Sequence, residues 1–402
     1  MGLRTEINLD ELRDFRDEEI QKVLSFQKTH CAYSKTPLRN LNALSGRLNI
    51  SRLYVKDESY RFGLNAFKVM GGIYAIAHYL ADKMNISLDR LSFGKLKKEV
   101  VIHGLHDTTF ISATDGNHGR GIAWVARELG VKSIIRMPKG SSKKRLAAIR
   151  AEGADVKISD VNYDETVRIC SRMASENGYL MVQDTSWPGY ERIPLWIMQG
   201  YAAIAKEIIE EMETPPTHVF LQAGVGSYAG AIAAYFLQHF YQNPPKIVLV
   251  EPNKADCYFR SFARSDGGME CVTGEMPTIM AGLACGEPNR TAFDMLSHYA
   301  FGAVSCLDNV TALGMRVLGN PLKGDERIIS GESGAVTMGA LYLLCTEKCF
   351  EKDRLNLEIN EHSRILLIST EGDTDQESYR DIVWKGAYPI VQREPGSEQY
   401  VG

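Results

Sequence analysis

Three stretches of the chain hold residues whose types and spacing suit covalent or anion chemistry. Lys68 stands alone among apolar and small neighbours in Asn65-Ala66-Phe67-Lys68-Val69-Met70-Gly71-Gly72. Most lysines are solvated at the surface, but an apolar setting favours the neutral amine, which can condense with an aldehyde. The second stretch, Gln222-Ala223-Gly224-Val225-Gly226-Ser227-Tyr228-Ala229-Gly230, lies between an apolar strand pattern and an apolar helix pattern. Glycines there let backbone N–H groups and a helix N-terminus approach a phosphate. A dinucleotide would use the same device with an acid about 20 residues on, a place Glu251 partly supplies, and a merely tight turn needs no ligand. The third, Ser112-Ala113-Thr114-Asp115-Gly116-Asn117-His118-Gly119-Arg120-Gly121, again reads strand, polar loop, helix. Its helix N-terminus favours a carboxylate, while Asp115 and Asn117 are equally ordinary N-caps. No His or Cys stands at metal-ligand spacing from His118, and no metal is expected. An imine lysine, a phosphate loop and a carboxylate-sized anion site together match an aldehyde cofactor that handles amino acids.

Such groups need a frame that brings them together. Apolar periodicity predicts a charged N-terminal helix, a strand at 52–56, a loop at 57–65 and a helix at 67–80, which puts Lys68 at a loop-to-helix junction. A polar elaboration is expected at 82–107. Strand and helix patterns then alternate: strands at 109–113, 133–137, 155–158 and 180–183, with helices at 119–129, 144–152 and 163–177. A second series predicts helices at 197–212 and 228–240, strands at 218–222 and 247–250, helices near 309–318 and at 334–345, and a strand at 365–369. Alternation of this kind means parallel sheets covered by helices. The expected fold class is α/β with two domains, residues 1–70 plus 197–402 forming the larger and 71–196 a smaller one inserted in it.

Bulk properties agree. A chain of 402 residues exceeds one ordinary core, and 44% hydrophobic with 24% charged residues is a globular composition. A net charge of −4 with mixed signs argues against nucleic acid as partner. No apolar run reaches the roughly 18 residues that span a bilayer, and 1–26 lack a signal-peptide core, so a cytoplasmic enzyme without membrane contact is expected. Eight cysteines without a C-x-x-C pair signal neither a disulfide scaffold nor a zinc ribbon, and Cys345 and Cys349 read as packing residues.

The ordered motifs resemble the fold type II (β-family) pyridoxal-phosphate enzymes, which include the threonine and serine dehydratases and tryptophan synthase β chains. The lysine after Ala66-Phe67, the loop Asp115-Gly116-Asn117-His118-Gly119, the glycine loop 224–230, Gly331-Glu332-Ser333-Gly334-Ala335 and Ser369-Thr370 occur in that family's order. Within it, the diaminopropionate ammonia-lyases are most similar, through 56–68 (Lys56-Asp57-Glu58-Ser59-Tyr60-Arg61 and onward to Lys68), 113–121, 182–185, 279–289 and 369–375. Dehydratases carry Ser where this chain has Ala66 before Phe67-Lys68, and Ser where it has Asp115.

The resemblance implies pyridoxal 5'-phosphate held as a Schiff base on Lys68, with Gly224, Val225, Gly226, Ser227 and Gly230 around the phosphate, Asn117 on the ring hydroxyl and Thr370 facing the pyridine nitrogen. Thr114, Asp115, Gly116 and His118 are implied to bind the substrate, a small diamino acid. Lys68, Asp115 and Asp184 are the implied catalytic residues for α,β-elimination of D- or L-2,3-diaminopropionate to pyruvate and two ammonia through an aminoacrylate. Glu332 lines a monovalent-cation site or is structural, and a Cys257–Cys285 pair is conceivable. A homodimer is expected on family grounds.

Overall fold

The computed structural model describes residues 6–114 and 116–390. Among the described residues ten strands, β1 (Leu38–Asn40), β2 (Arg52–Asp57), β3 (Thr109–Ala113), β4 (Lys132–Met137), β5 (Asp155–Ile158), β6 (Leu180–Met181), β7 (His218–Gln222), β8 (Lys246–Pro252), β9 (Ala300–Cys306) and β10 (Arg364–Ser369), form two sheets. The larger runs β1-β2-β10-β7-β8-β9 and the smaller β5-β4-β3-β6. Every pairing is parallel except β1 with β2. Parallel strands need helical crossovers that cover both faces, so central strands read as continuous apolar runs; β7 is buried at all five positions.

The smaller sheet is drawn wholly from within 71–196 and the larger from the chain on either side. Helix Val69–Lys83 joins them, packing on helices Asn117–Leu129 and Arg192–Glu211. Glycines set those approaches. A Cβ at Gly200 would lie 2.4 Å from the Met70 carbonyl oxygen, and one at Gly121 would lie 3.0 Å from Val69 Cα. Only residues without side chains let the backbones meet this closely.

Most predicted elements are present within a few residues. The helix expected from 197 starts at Arg192, because Pro194 falls in the first turn, where its missing N–H costs nothing. The polar elaboration contains a helix, Phe93–Ile102. Strands β1 and β9 and helices Cys257–Ala263, Arg290–Tyr299 and Gln376–Val383 were not expected. β6 pairs over two residues rather than four, and the chain turns inward at Gln183 and Asp184.

Candidate active site

The expected chemistry converges at the carboxyl ends of parallel strands, where open α/β sheets place their ligands. The loop after β2 leads to Lys68, that after β3 to Thr114, that after β6 to Asp184, that after β7 to Gly224 and that after β10 to Thr370. Lys68, Thr114, Asn117, His118, Asp184, Gly224, Val225, Gly226, Ser227 and Thr370 line one cavity between the sheets. Asp115 lies outside the described residues.

Lys68 is delivered by a loop clamped at both ends. Arg61 is fully buried and donates to Glu58 and Glu207, with all four carboxylate bonds at 2.8 Å. Phe62 (φ 50°) and Asn65 (φ 60°) adopt left-handed conformations, each costing about 1 kcal/mol or more and persisting because the surrounding contacts impose it. The Asn65 carbonyl accepts from Gly372 N at 3.0 Å, and Phe67 N donates to the Thr370 carbonyl at 3.1 Å. The Lys68 ammonium then meets Asp184 Oδ2 at 2.7 Å. Burial alone would raise the Asp184 carboxyl, but the facing Lys68 charge, with a smaller contribution from His118, holds it at about 2. His118 Nε2 lies 2.9 Å from the Val182 carbonyl, which can only accept, so Nε2 carries a proton and Nδ1 faces Asp184 at 3.9 Å.

The glycine loop is shaped for an anion. Gly226 has φ +92°, and a Cβ there would sit 1.9 Å from the Tyr258 hydroxyl. That hydroxyl donates to the Val225 carbonyl at 3.0 Å, and helix Ser227–His239 starts at the next residue with its N–H groups toward the cavity floor. Ser227 Oγ donates to the Asp184 carbonyl and accepts from Asn289 Nδ2 at 2.6 Å, so its hydroxyl braces Asp184 and its main chain is what faces the cradle. Gly230 departs from expectation. Its N–H bonds the Gly226 carbonyl at 2.7 Å, and a Cβ would meet Met295 Cε at 2.9 Å and Ala292 Cβ at 3.0 Å. It is a packing glycine behind the loop.

Two other expected residues serve the frame. Thr114 Oγ1 accepts from Gly116 N at 2.9 Å and Gly119 N at 3.0 Å, capping helix Asn117–Leu129 and leaving the Asn117 and His118 N–H groups for an anion. At the far wall, Gln222 Nε2 donates to the Ile368 carbonyl at 3.0 Å and to Thr370 Oγ1 at 2.9 Å. The carbonyl fixes the amide's orientation, and Thr370, having accepted, keeps its own proton to donate.

Residues without an expected role also line the cavity: Glu371, Tyr163, Gln222 and Ser333. Glu371 accepts from Asn117 Nδ2 and from Ser333 N at 3.0 Å. It lies 254 positions from Asn117, and although it falls in the stretch 369–375, nothing local names that partner. Glu332 is buried and accepts from Ser378 Oγ at 2.6 Å; burial, then the charge of Glu371, raises its carboxyl above the ordinary range. Cys257 and Cys285 are not joined in a disulfide, Cys257 Sγ lying 4.0 Å from the Cys285 carbonyl oxygen.

The residues present fit pyridoxal phosphate. An amine with an ionised partner, a left-handed glycine turn that opens a helix, a hydroxyl with a proton to donate and the buried Gln222 Oε1, unpartnered among the described residues, line one cavity. Among the described residues no helix is long and apolar enough to cross a membrane.

Comparison with known proteins agrees with this geometry. The family model for pyridoxal-phosphate dependent enzymes matches residues 31–371. The diaminopropionate ammonia-lyase of Salmonella typhimurium strain LT2 is 47% identical over 370 residues, 91% of this chain and 92% of its own length. That of Escherichia coli K12 is 46% identical over 380 residues, 94% of each. A crystal structure of the Escherichia coli enzyme in complex with an aminoacrylate-PLP azomethine reaction intermediate superposes with a TM-score of 0.88 at 43% identity, covering 97% of this chain and 96% of that one.

Proposed function

Because the chain belongs to the pyridoxal-phosphate dependent enzymes, and among them to the diaminopropionate ammonia-lyases, we propose a reading of which of its residues perform that reaction. The enzyme converts 2,3-diaminopropionate and water to pyruvate and two ammonia through an aminoacrylate. Pyridoxal phosphate, when bound, supplies the aldehyde that takes the amino group and the conjugated system that disperses charge at Cα.

The observation that carries the assignment is the 2.7 Å contact between Lys68 and Asp184 in the cavity that also holds the glycine loop and Thr370. Lys68 is the covalent anchor and moves the Cα proton on its own face. Asp184 holds and relays that proton. Asp115 works from the opposite face, attracts the β-ammonium and completes proton transfer, so that Lys68 and Asp115 divide the two enantiomers between them. An amine departs well only when protonated, and carboxylates near the β-carbon favour that form. Gly224, Val225, Gly226 and Ser227 hold the phosphate through backbone N–H groups, Asn117 bonds the ring hydroxyl, and Thr370 donates to the pyridine nitrogen. A hydroxyl leaves that nitrogen uncharged, which suits elimination over transamination. Thr114, Gly116 and His118 shape the carboxylate site at the helix N-terminus.

The same reading divides the chain into 1–70 plus 197–402 and an inserted 71–196, and makes it a cytoplasmic homodimer, which light scattering checks. Borohydride reduction followed by peptide mapping should place the phosphopyridoxyl label on Lys68, with two ammonia released per pyruvate. A label on any other lysine refutes the assignment.

A further inference from the structure

Gln183 and Tyr163, neither expected to act, grip Asp184 from the side away from Lys68. Gln183 is fully buried, and its Oε1 accepts from Ala113 N and Ser112 Oγ, both at 3.0 Å. A main-chain N–H can only donate, so the amide's orientation is settled and Nε2 must face the other way. There it donates to the Tyr163 hydroxyl at 2.7 Å and lies 3.4 Å from Asp184 Oδ1. Having accepted from Gln183, the Tyr163 hydroxyl donates to the same Oδ1 at 3.5 Å. Both donors thus occupy one carboxylate oxygen, and Lys68 Nζ meets the other.

We propose that Gln183 and Tyr163 are positioning residues for proton transfer at Lys68: by occupying Oδ1 they hold Asp184 Oδ2 toward the lysine amine. This rests on the reading that Lys68 is the anchor and Asp184 its proton partner. The groups facing Asp184 come from five elements. They are Lys68 before helix Val69–Lys83, His118 in Asn117–Leu129, Tyr163 at the start of Tyr163–Asn177, Tyr190 in the loop between β6 and Arg192–Glu211, and Tyr201 in that helix. Tyr190 is spent elsewhere, donating to the Met181 carbonyl at 2.9 Å. The Lys68 charge, then that of His118, keeps the Asp184 carboxyl low against its burial, and donors to an ionised carboxylate favour the same charged form.

Two variants test the pair. Gln183→Glu keeps the acceptor toward Ala113 N but turns Nε2 into an acceptor, so the Tyr163 proton swings away from Asp184. Tyr163→Phe removes that proton and keeps the ring. For both, kcat should fall about tenfold, the scale of one lost bond to a charged group, with KM changed less than about twofold. The acidic limb of the kcat profile should move up by about one pH unit, equivalent to about 1.4 kcal/mol. In a readout that needs no turnover, apoprotein mixed with pyridoxal phosphate should show its absorbance change on imine formation with a midpoint shifted to lower pH, because an Asp184 aimed less well at Lys68 stabilises the ammonium less. A fall in kcat with both pH profiles unmoved would mean that the residues only support the fold, and would overturn the proposal. If borohydride labels a lysine other than Lys68, the underlying assignment fails first, and the two failures are distinct.

Discussion

Replacing Arg61 by Met should uncouple the loop that delivers Lys68 from the core. Arg61 donates six hydrogen bonds, to Glu58, Glu207, the Thr36 hydroxyl and the Ser34 carbonyl. Glu207 would keep Lys56 at 3.0 Å and Tyr33, whereas Glu58 would keep only the Thr36 hydroxyl at 2.6 Å among these partners. Methionine fills much of the same volume, so the main loss is an uncompensated buried carboxylate, about 4 kcal/mol. With an unfolding entropy of about 2.1 cal/mol/K per residue over a chain of 402 residues, that corresponds to a Tm lower by about 5 °C for one cooperative unit. The pH dependence is a second check. Burial would raise the Glu207 carboxyl, but Arg61 holds it below the ordinary carboxylate range. A depressed folded pKa contributes stability above the unfolded value, near pH 4.5, and loses it as pH falls toward the folded one. The gap between wild type and Arg61→Met should therefore be full at pH 7 and narrow below about pH 4.5. Calorimetric melts at several pH values, with Glu58→Gln added to remove the orphaned charge, provide the assay. A Tm change below about 1 °C, or a gap constant from pH 7 to 3, refutes the view that this cluster clamps the loop.

Two further substitutions address the site directly. Gly226→Ala puts a methyl 1.9 Å from the Tyr258 hydroxyl at φ +92°, so the apoprotein melt should fall and pyridoxal phosphate should dissociate at least about tenfold more readily on dialysis, the scale of a distortion costing about 1.4 kcal/mol; unchanged retention would remove this loop from the phosphate site. Asp184→Asn keeps the shape but not the charge opposite Lys68. Its pyruvate formation should fall about 10²- to 10⁴-fold, the range for a lost proton-transfer group, with the borohydride label still on Lys68; near-normal turnover would make Asp184 a structural ion-pair partner.

What could be read in advance followed how local each signal is. The parallel sheets were legible because strands such as β8, with Ile247-Val248-Leu249-Val250 all buried, are written as uninterrupted apolar runs. β9 was not, since Ala300–Cys306 is mostly half-buried, small and broken by Gly302 at a sheet edge. Helix Phe93–Ile102 was missed although Phe93, Leu96 and Val100 are buried at the i, i+3, i+7 spacing that marks one face; the intervening lysines masked it. The site divides the same way. Lys68, Gly226 and Thr370 stand in motifs because backbone shape demands particular residues at fixed offsets. Glycine is ambiguous by itself: Gly226 takes a left-handed turn against Tyr258 at the cavity while Gly230, four residues on, admits a neighbouring helix, and only packing separates them. Tyr163, Gln183 and Glu371 act through partners fixed by the fold rather than by spacing, Tyr163 reaching 21 positions to Asp184 and Glu371 254 to Asn117. The residues proposed to hold the chemistry were thus visible as types, and those proposed to aim it became visible only as hydrogen bonds whose donors and acceptors admit one orientation.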